Sequence, residues 1–406
     1  MTGPGTLAGG RCRLRGTTVA SRLGVALAGT ALLLPWVITG AVAQPAGPPP
    51  SPVLDGPPPA AWAPEEIDAA AWILVEGQSG QVLAGEHVDE RRPVASTVKV
   101  LTALTVVTRV DLHDEVVVGD EVVGIGGATV GLVPGSVWKV EELLDALLAR
   151  SGNDAAAALA AHVAGSTPDF VAMMSDDARR LGLDQLTLTS PSGLDDGNLL
   201  SARDLATATR AALAHPSLRP LLARSVVELP GLGAVESRNE LLDSYPAATG
   251  VKTGYTAAAG YSLVASAERD GRELVVVVLD ADPDPARYEV ASRLLDHGFD
   301  RFAVTTLRGW LTLAVAGGEL HLEVAPTPVT APVAEPAVLA FELPVRPPTG
   351  DVDVPVQIGD EMVGQLRAAR VGRLPPREAS AAELGRAVVD GVYAALRAST
   401  TAGVLR

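Results

Sequence analysis

The sequence predicts an α+β protein in which antiparallel strands combine with helices and a small β-rich domain follows. Apolar residues recur at helical spacing in several segments, among them 140–149 and 202–214, as is typical of helices that bury one face. Two apolar runs, 261–267 and 273–279, flank a short turn as neighbouring antiparallel strands do. After Phe302 apolar and polar residues alternate, with many prolines and valines, which favours short strands.

The first 43 residues predict an export signal. Arginines precede an apolar run over 23–42, and the run ends in small residues suited to cleavage after Ala43. The length of the run leaves an uncleaved N-terminal anchor as the alternative. Cys12 is the only cysteine and precedes the run, so the exported chain would contain neither a disulfide nor a catalytic thiol. Residues 44–64, rich in proline, glycine and alanine, predict a linker.

Residues 65–302 predict the first folded domain. Apolar runs and turn residues indicate its strands, and helical spacing indicates its helices. The strands are expected within 70–76, 81–84, 116–133, 247–255, 261–267 and 273–279. The helices are expected over 94–107, 140–149, 168–181, 202–214 and 287–297, with a further alanine-rich helix for which Asp154 is a candidate cap.

Residues 303–375 predict the small β-rich domain, which Pro375 and Pro376 end. Residues 376–406 predict an amphipathic helix over 380–397 and a tail. Such a helix packs against the protein or frays, and a membrane-surface role is the alternative.

Charge and lysine usage restrict the function. A formal net charge of −16 argues against a nucleic-acid partner, which would require a basic surface. The chain holds only three lysines, Lys99, Lys139 and Lys252, and uses arginine for its other basic residues. Arginine stays charged and cannot act as a general base. Lys139 is expected on the surface at a helix start, whereas a lysine inside the apolar segment 94–107 suggests chemistry.

Ser96 and Lys99 are three residues apart near the start of this segment. Side chains at this spacing share one helix face. Burial lowers the pKa of a lysine because the charged form loses its hydration. A neutral amine beside a hydroxyl can then act as its base.

Two further motifs follow in order. Ser151-Gly152-Asn153 begins 55 residues after Ser96, and Lys252-Thr253-Gly254 begins 101 residues after Ser151. Each motif is common alone, since Ser-Gly-Asn often serves as a turn and cap. The three together, at this spacing, are highly specific.

With these three motifs the sequence resembles the serine D-alanyl-D-alanine carboxypeptidases, the low-molecular-mass penicillin-binding proteins. Smaller matches to that family occur at Arg92-Pro93, Pro134-Gly135, 201–206 and 250–256. The close resemblance covers 68–302, and the β-rich 303–370 is similar more loosely. It implies a helix–antiparallel sheet–helix catalytic domain like that of penicillin-binding proteins and β-lactamases.

The resemblance implies four catalytic residues. Ser96 would be the acylated nucleophile and Lys99 its base. Ser151 would relay a proton to the leaving amine, and Asn153 would hydrogen-bond the substrate amide.

The resemblance also implies substrate-binding residues. Lys252 would add positive charge beside Lys99, and Thr253 would offer its hydroxyl to a substrate carboxylate. Gly254 belongs to the same motif, and the backbone N–H groups of Tyr255 and Ser96 would form the oxyanion hole. Arg287 stands where the family has a carboxylate-binding arginine, with a solvated helix arginine as the alternative.

These residues predict an exported serine peptidase of the cell envelope that removes the terminal D-Ala of peptidoglycan stem peptides and binds β-lactams covalently. No cofactor is expected, and the six histidines show no metal-ligand spacing. The alternatives are a D,D-endopeptidase of cross-links and a penicillin-binding sensor with little turnover. A β-lactamase is disfavoured because no deacylating glutamate can be placed.

Overall fold

The computed structural model describes residues 62–315, 318–333, 337–339, 352–358 and 361–371. Two five-stranded antiparallel sheets dominate this part of the chain. The first contains β1 (Ala71–Glu76), β2 (Val82–Glu86), β9 (Ala248–Thr256), β10 (Gly260–Arg269) and β11 (Arg272–Ala281). The second contains β12 (Phe302–Val315), β13 (Gly318–Pro332), β14 (Ala337–Leu339), β15 (Val352–Ile358) and β16 (Glu361–Val371).

Short strand pairs and helices complete the described chain. The pairs are β3 (Arg92–Pro93) with β6 (Leu199–Leu200), β4 (Glu115–Val117) with β5 (Val137–Lys139), and β7 (Val226–Leu229) with β8 (Gly233–Glu236). The helices are α1 (Lys99–Val107), α2 (Val140–Leu148), α3 (Asn153–Ala164), α4 (Thr167–Arg180), α5 (Ala202–Ala214), α6 (Arg219–Leu222), α7 (Leu241–Ser244) and α8 (Ala286–Arg301). None of these helices has the length and apolar character to cross a membrane.

The first sheet has the strand order β2-β1-β11-β10-β9. In this sheet a strand from the beginning of the domain pairs with a strand from its end, since Ile73 of β1 is opposite Val277 of β11. Among the described strands, β9 lies at one edge of the sheet and pairs with β10 alone, where Leu263 is opposite Thr253. The Lys-Thr-Gly motif therefore occupies an edge strand.

Both faces of this sheet are covered, so its central strands are apolar in continuous runs rather than in alternation. On β11, Val275 and Val277 face the cluster that contains helices α1, α2, α3 and α5. Val276 and Val278, one residue on, face the cluster that contains α8. Successive strand residues point to opposite faces, and the domain is accordingly a helix–sheet–helix sandwich.

The second sheet continues from α8 through β12 and has the order β12-β13-β16-β15-β14. Buried residues of this sheet, such as Val329 and Val356, join the α8-side core. Gln81 adds two hydrogen bonds between the sheets: its Nε2 donates to the carbonyl of Thr330 at 2.5 Å, and its Oε1 accepts from the N–H of Thr330 at 2.8 Å.

The predicted α+β composition is observed, including a β-rich region after Phe302. One local prediction was wrong: the N-cap of α3 is Gly152, and Asp154 lies inside the first turn. Lys139 is exposed at the start of α2, as predicted. The predicted export signal, the linker up to residue 61 and the predicted helix over 380–397 lie outside the described residues.

Candidate active site

Ser96 lies on a tight turn rather than in a regular α-helix. The predicted helix over 94–107 is divided into a 3₁₀ turn, Ala95–Val98, and α1. Thr97 stabilises the turn, because its hydroxyl donates to the carbonyl of Val94 at 2.7 Å. Ala95 enters the turn with φ of +47°, a left-handed conformation that costs energy in any residue except glycine. This strained entry precedes Ser96 directly.

Lys99 contacts three oxygens from a fully buried position. Its Nζ lies 2.7 Å from Oγ of Ser96, 2.8 Å from Oδ1 of Asn153 and 2.6 Å from the carbonyl oxygen of Ser192. Each of the three oxygens comes from a different segment of the chain. The structure therefore brings Ser96 and Asn153 together around the amine of Lys99.

The chemistry of these oxygens assigns the hydrogens of Lys99. A carbonyl oxygen can only accept, and Asn153 presents Oδ1 to Lys99 because its Nδ2 donates to the carbonyl of Gly126 at 2.9 Å. A neutral amine has two hydrogens, which these two acceptors take. Its lone pair is then left for the Ser96 hydroxyl, the partner that is able to donate.

Burial is the main reason that the pKa of Lys99 lies well below that of a free lysine. The positive charges of Lys252 and Arg238 lower it further, and the carboxylate of Asp154 opposes them. The neutral form that acts as a base is thus favoured by the surroundings.

Asn153 is held by the loop 126–132. Its backbone N–H donates to the carbonyl of Ala128 at 2.7 Å, in addition to the bond from Nδ2 to Gly126. Asp154 fixes this loop, because its buried carboxylate accepts N–H groups of Val130, Gly131 and Leu132 at 2.9–3.2 Å.

The loop 190–197 supplies the third acceptor of Lys99. Asn198 holds its base, since Oδ1 accepts from the N–H of Thr189 at 2.8 Å and Nδ2 donates to the carbonyl of Ser190 at 3.1 Å. Gly193 has φ of +75°, and a β-carbon there would overlap the carbonyl of Ala95. Only glycine therefore lets this loop lie against the Ser96 turn.

Ser151 precedes α3 in a left-handed conformation, with φ of +62°. The residue is buried, at 5% exposure. Its hydroxyl has no hydrogen-bond partner in the described part of the chain, so the structure brings it near Asn153 without joining it to Ser96 or Lys99. The hydroxyl remains available for an incoming group.

The Lys-Thr-Gly motif runs along β9, beside the Ser96 turn. A β-carbon on Gly254 would lie 3.0 Å from the Val94 carbonyl and from the Thr97 side chain. The absence of a side chain at this position therefore allows the strand and the turn to approach closely. Lys252 and Thr253 are both buried. Burial, and then the charges of Arg238 and Arg287, lower the pKa of Lys252 to about 7.

Arg287 lies at the end of this strand and is 8% exposed, so the alternative of a solvated helix arginine is wrong. Its guanidinium pairs with Asp284 at 2.6 Å and donates to the carbonyl of Gly254 at 3.3 Å. It also lies 5.4 Å from the ring centre of Tyr261, which stacks on the half-exposed ring of Tyr255.

Comparison with known proteins identifies the family. Residues 59–283, more than half of the chain, match the D-alanyl-D-alanine carboxypeptidase family. The chain belongs to this family. The D-alanyl-D-alanine carboxypeptidase DacB2 of Mycobacterium tuberculosis is 38% identical over 265 residues, which are 63% of this chain and 86% of that relative. DacC of Escherichia coli is 36% identical over 254 residues, which are 59% of this chain and 63% of that relative.

A solved structure agrees with this result. Penicillin binding protein 6B of Escherichia coli is similar with a TM-score of 0.63 at 28% identity, over 77% of this chain and 98% of that one. The predicted family resemblance and fold class are therefore confirmed. So is the prediction that the chain is an enzyme, a hydrolase of the D-alanyl-D-alanine carboxypeptidase family.

Several parts of this carboxypeptidase-family site were not predicted. The carbonyl groups of Ser192 and Gly126 are backbone atoms of loops, and no side-chain pattern marks them. The role of Asp154 was mistaken for capping, although three glycines in the preceding loop, 126–131, indicated a loop that needs support. Arg238 lies in no motif, and only the fold brings its charge toward the two lysines.

Proposed function

We propose that the protein is an exported serine D-alanyl-D-alanine carboxypeptidase that removes the terminal D-Ala from peptidoglycan stem pentapeptides through an acyl-enzyme on Ser96. The observation that carries this proposal is the 2.7 Å contact between Nζ of Lys99 and Oγ of Ser96. The two hydrogens of the neutral amine are taken by Oδ1 of Asn153 and the carbonyl oxygen of Ser192. An amine held in this way can take a proton from only one partner, the serine.

In the acylation step, the lone pair of Lys99 accepts the Ser96 proton while Oγ attacks the carbonyl carbon of the penultimate D-Ala. The carbonyl oxygen becomes an oxyanion, which the backbone N–H groups of Ser96 and Tyr255 would receive. Gly254 supports this assignment because its missing side chain allows Tyr255 to approach the Ser96 turn.

Collapse of the tetrahedral intermediate breaks the peptide bond, and the leaving nitrogen takes a proton to depart as free D-Ala. Ser151 is proposed to relay this proton from Lys99, as its buried hydroxyl has no other partner in the described chain. Nδ2 of Asn153 keeps one hydrogen beyond the one donated to Gly126, and this hydrogen can reach a substrate carbonyl. Water then hydrolyses the ester with Lys99 again as base.

The free carboxylate of the substrate distinguishes a carboxypeptidase from an endopeptidase. We assign its binding to Lys252, the Thr253 hydroxyl and Arg287. Charge-assisted hydrogen bonds contribute about 1.5–3 kcal/mol each, so this carboxylate supports selective binding of a chain end. The existing bond of Arg287 to Asp284 supports a role for Arg287 in shaping this end of the site as well.

We also propose the location and domain division. Cleavage after Ala43 would give a mature protein beginning at Gln44 in the cell envelope, with 65–302 as the catalytic domain and 303–375 as the β-rich domain. The tail, 376–406, is proposed to lie at the protein or membrane surface. N-terminal sequencing of secreted material tests the cleavage, and recovery of Met1 would favour the anchor.

The primary test combines labelling with product release. Purified protein should be acylated by labelled penicillin and should release D-Ala from a pentapeptide ending in D-Ala-D-Ala. Ser96→Ala should do neither, whereas Ser79→Ala, which removes the hydroxyl from a distant hairpin turn, should do both. Labelling without D-Ala release would instead support a penicillin-binding sensor. Equal labelling of the Ser96→Ala variant would refute the nucleophile.

A second test addresses the endopeptidase alternative. Amidating the terminal carboxylate of the pentapeptide should lower kcat/KM at least about tenfold, the equivalent of one charge-assisted contact. Thr253→Val should lower cleavage of the free acid and reduce this preference. Equal cleavage of acid and amide, together with cleavage of a cross-linked dimer, would replace the carboxypeptidase by the endopeptidase.

A further inference from the structure

A hydrogen bond between two side chains joins the loop 190–197 to the end of β9. The hydroxyl of Thr256, the last residue of β9, donates to Oδ1 of Asp196. The same hydroxyl accepts from the backbone N–H of Ala259 at 3.1 Å, so both its donor and its acceptor capacity are used. Among the residues that the structure describes, no other hydrogen bond joins this loop to β9.

Asp196 differs from its neighbour Asp195, although both are carboxylates of the same loop. Asp195 is exposed and accepts from the hydroxyl of Ser190 at 3.0 Å, within the loop. Asp196 is half-buried and has a left-handed conformation, with φ of +53°. Aspartate and asparagine enter this conformation more readily than other residues with a side chain. The backbone of the loop therefore directs the second carboxylate toward β9.

The two ends of this bond lead to two different parts of the catalytic machinery. On the loop side, four residues before Asp196, the carbonyl oxygen of Ser192 lies 2.6 Å from Nζ of Lys99 and takes one of its hydrogens. On the strand side, Thr256 directly follows Tyr255, whose backbone N–H is assigned above to the oxyanion hole. The bond thus connects the carbonyl that orients the base with the strand end that receives the oxyanion.

Burial alone does not fix either element at this point. Strand β9 is an edge strand among those described, Tyr255 is 54% exposed, and residues 257–258 are exposed as well. In the loop, Leu194 is 44% exposed. Segments with few buried contacts open and shift more easily than the core. The bond between Asp196 and Thr256 therefore limits how far the loop and the strand end can separate.

We propose that Asp196 and Thr256 are positioning residues for acylation, which hold the Ser192 carbonyl and the Tyr255 N–H in a fixed relation. The proposal rests on the function proposed above and deepens it. Neither side chain needs to touch the substrate, because each acts through a backbone group beside it. Since both backbone groups act on the transition state, loss of the bond should slow the chemical step and leave substrate binding nearly unchanged.

The experiment removes each partner and then restores it conservatively. Thr256→Val deletes the hydroxyl at nearly constant shape, and Thr256→Ser retains it. Asp196→Ala deletes the acceptor, whereas Asp196→Asn keeps an oxygen acceptor and tolerates the left-handed conformation. Thr249→Val is the matched control, because this threonine also lies on β9 but its hydroxyl bonds to Ser266 of the neighbouring strand at 2.8 Å.

Two rates are measured for every enzyme: release of D-Ala from a pentapeptide, and acylation by a chromogenic β-lactam. Both are expressed per active site, counted by labelling with penicillin to completion, so that an unfolded fraction does not lower them. Thr256→Val and Asp196→Ala should each lower kcat and the acylation rate by roughly 10–100-fold, as a small misplacement of catalytic groups does. KM should stay within about threefold of wild type.

The conservative variants and the double variant test whether the two residues act together. Thr256→Ser and Asp196→Asn should recover most of the rate, and Thr249→Val should stay near wild type. Thr256→Val combined with Asp196→Ala should be no slower than the slower single variant, because both changes remove the same bond.

Three results would overturn the positioning role. They are a rate per active site in Thr256→Val that equals that of wild type, losses that multiply in the double variant, and a loss that Thr249→Val reproduces. Failure of the proposed function looks different, because the wild type itself would then neither react with labelled penicillin nor release D-Ala.

Discussion

Oδ1 of Asn153 lies 2.8 Å from Nζ of Lys99 and so occupies one of the two hydrogens of a neutral amine. With the Ser192 carbonyl on the other hydrogen, the lone pair is directed at Ser96. The Asn153 amide therefore helps to keep Lys99 in the form that can act as a base. A change in the charge of residue 153 should shift the pKa of Lys99.

Asn153→Asp is expected to displace the pH profile to higher pH. The variant has nearly the same shape but places a negative charge beside Lys99, which favours its charged form and raises its pKa. Because the base must be neutral, the rise of acylation rate with pH should move up by about one unit or more, with at least about a tenfold loss at pH 7. Stopped-flow acylation by a chromogenic β-lactam between pH 5 and 10 measures this. An unmoved profile would contradict the role of Asn153.

Lys99→Arg should be nearly inactive although the positive charge is retained. Arginine cannot accept the serine proton, and loss of a general base costs about 10²–10⁴ in rate. The same replacement at Lys139, an exposed lysine at the start of α2, is the matched control and should keep wild-type activity. Acylation rates of the two variants test this directly. A Lys99→Arg enzyme within a few-fold of wild type would make Lys99 merely structural.

Lys252→Met should be stabilising at low pH and neutral at high pH. The pKa of Lys252 is lowered from 10.5 to about 7 in the folded protein. Below pH 7 the folded protein therefore carries a buried charge that costs free energy, whereas well above pH 10.5 the lysine is neutral in both states. The unfolded chain binds more protons between these values, so wild-type stability rises with pH there.

Urea unfolding at a series of pH values measures this difference. The stability advantage of Lys252→Met should fall by at least about 1 kcal/mol from pH 6 to pH 10. Lys139→Met serves as the control, because its lysine is exposed and its difference from wild type should not vary with pH. A Lys252→Met difference that is equally flat would show that this lysine is not buried in solution.

Asp154→Asn should disturb the site chiefly through the loop that the Asp154 carboxylate holds. The amide keeps the size of the carboxylate but loses the charge that accepts the N–H groups of the 126–132 loop, and charge-assisted bonds are worth about 1.5–3 kcal/mol each. We expect a loss of about 2 kcal/mol in stability and a reduced acylation rate. Asp169→Asn, at an exposed helix start, is the control. Full activity in Asp154→Asn would show that the loop holds Asn153 without this carboxylate.

Local signals in the sequence predicted the elements that local chemistry determines. Helix α5 has the predicted bounds because Ser201 and Asp204 cap it reciprocally: the Ser201 hydroxyl accepts from the N–H of Asp204, and the Asp204 carboxylate accepts from the N–H of Ser201 at 2.8 Å. Ser96 and Lys99 were likewise recognisable, because their chemistry resides in side chains at a fixed spacing.

Interactions between distant segments were not predictable in this way. The Ser192 carbonyl reaches Lys99 across 93 positions of sequence, and any residue type supplies a carbonyl. The turn at Ala95–Val98 was predicted as helix because apolar spacing does not distinguish a 3₁₀ turn from an α-helical one. Arg238 was overlooked because it lies in no motif, and only the folded structure shows that its charge acts on the two lysines.

The position of β1 between β2 and β11 in the first sheet determines when the chain can fold. Strand β1 pairs with β11, whose residues follow about 200 positions later. The first hairpin therefore leaves the ribosome long before its partner and must keep its apolar faces unpaired until then. Such distant pairing makes folding slow and exposes the chain to aggregation. A chain that ends before β11 should fail to fold at all, so the enzyme matures only when nearly the whole first domain is available.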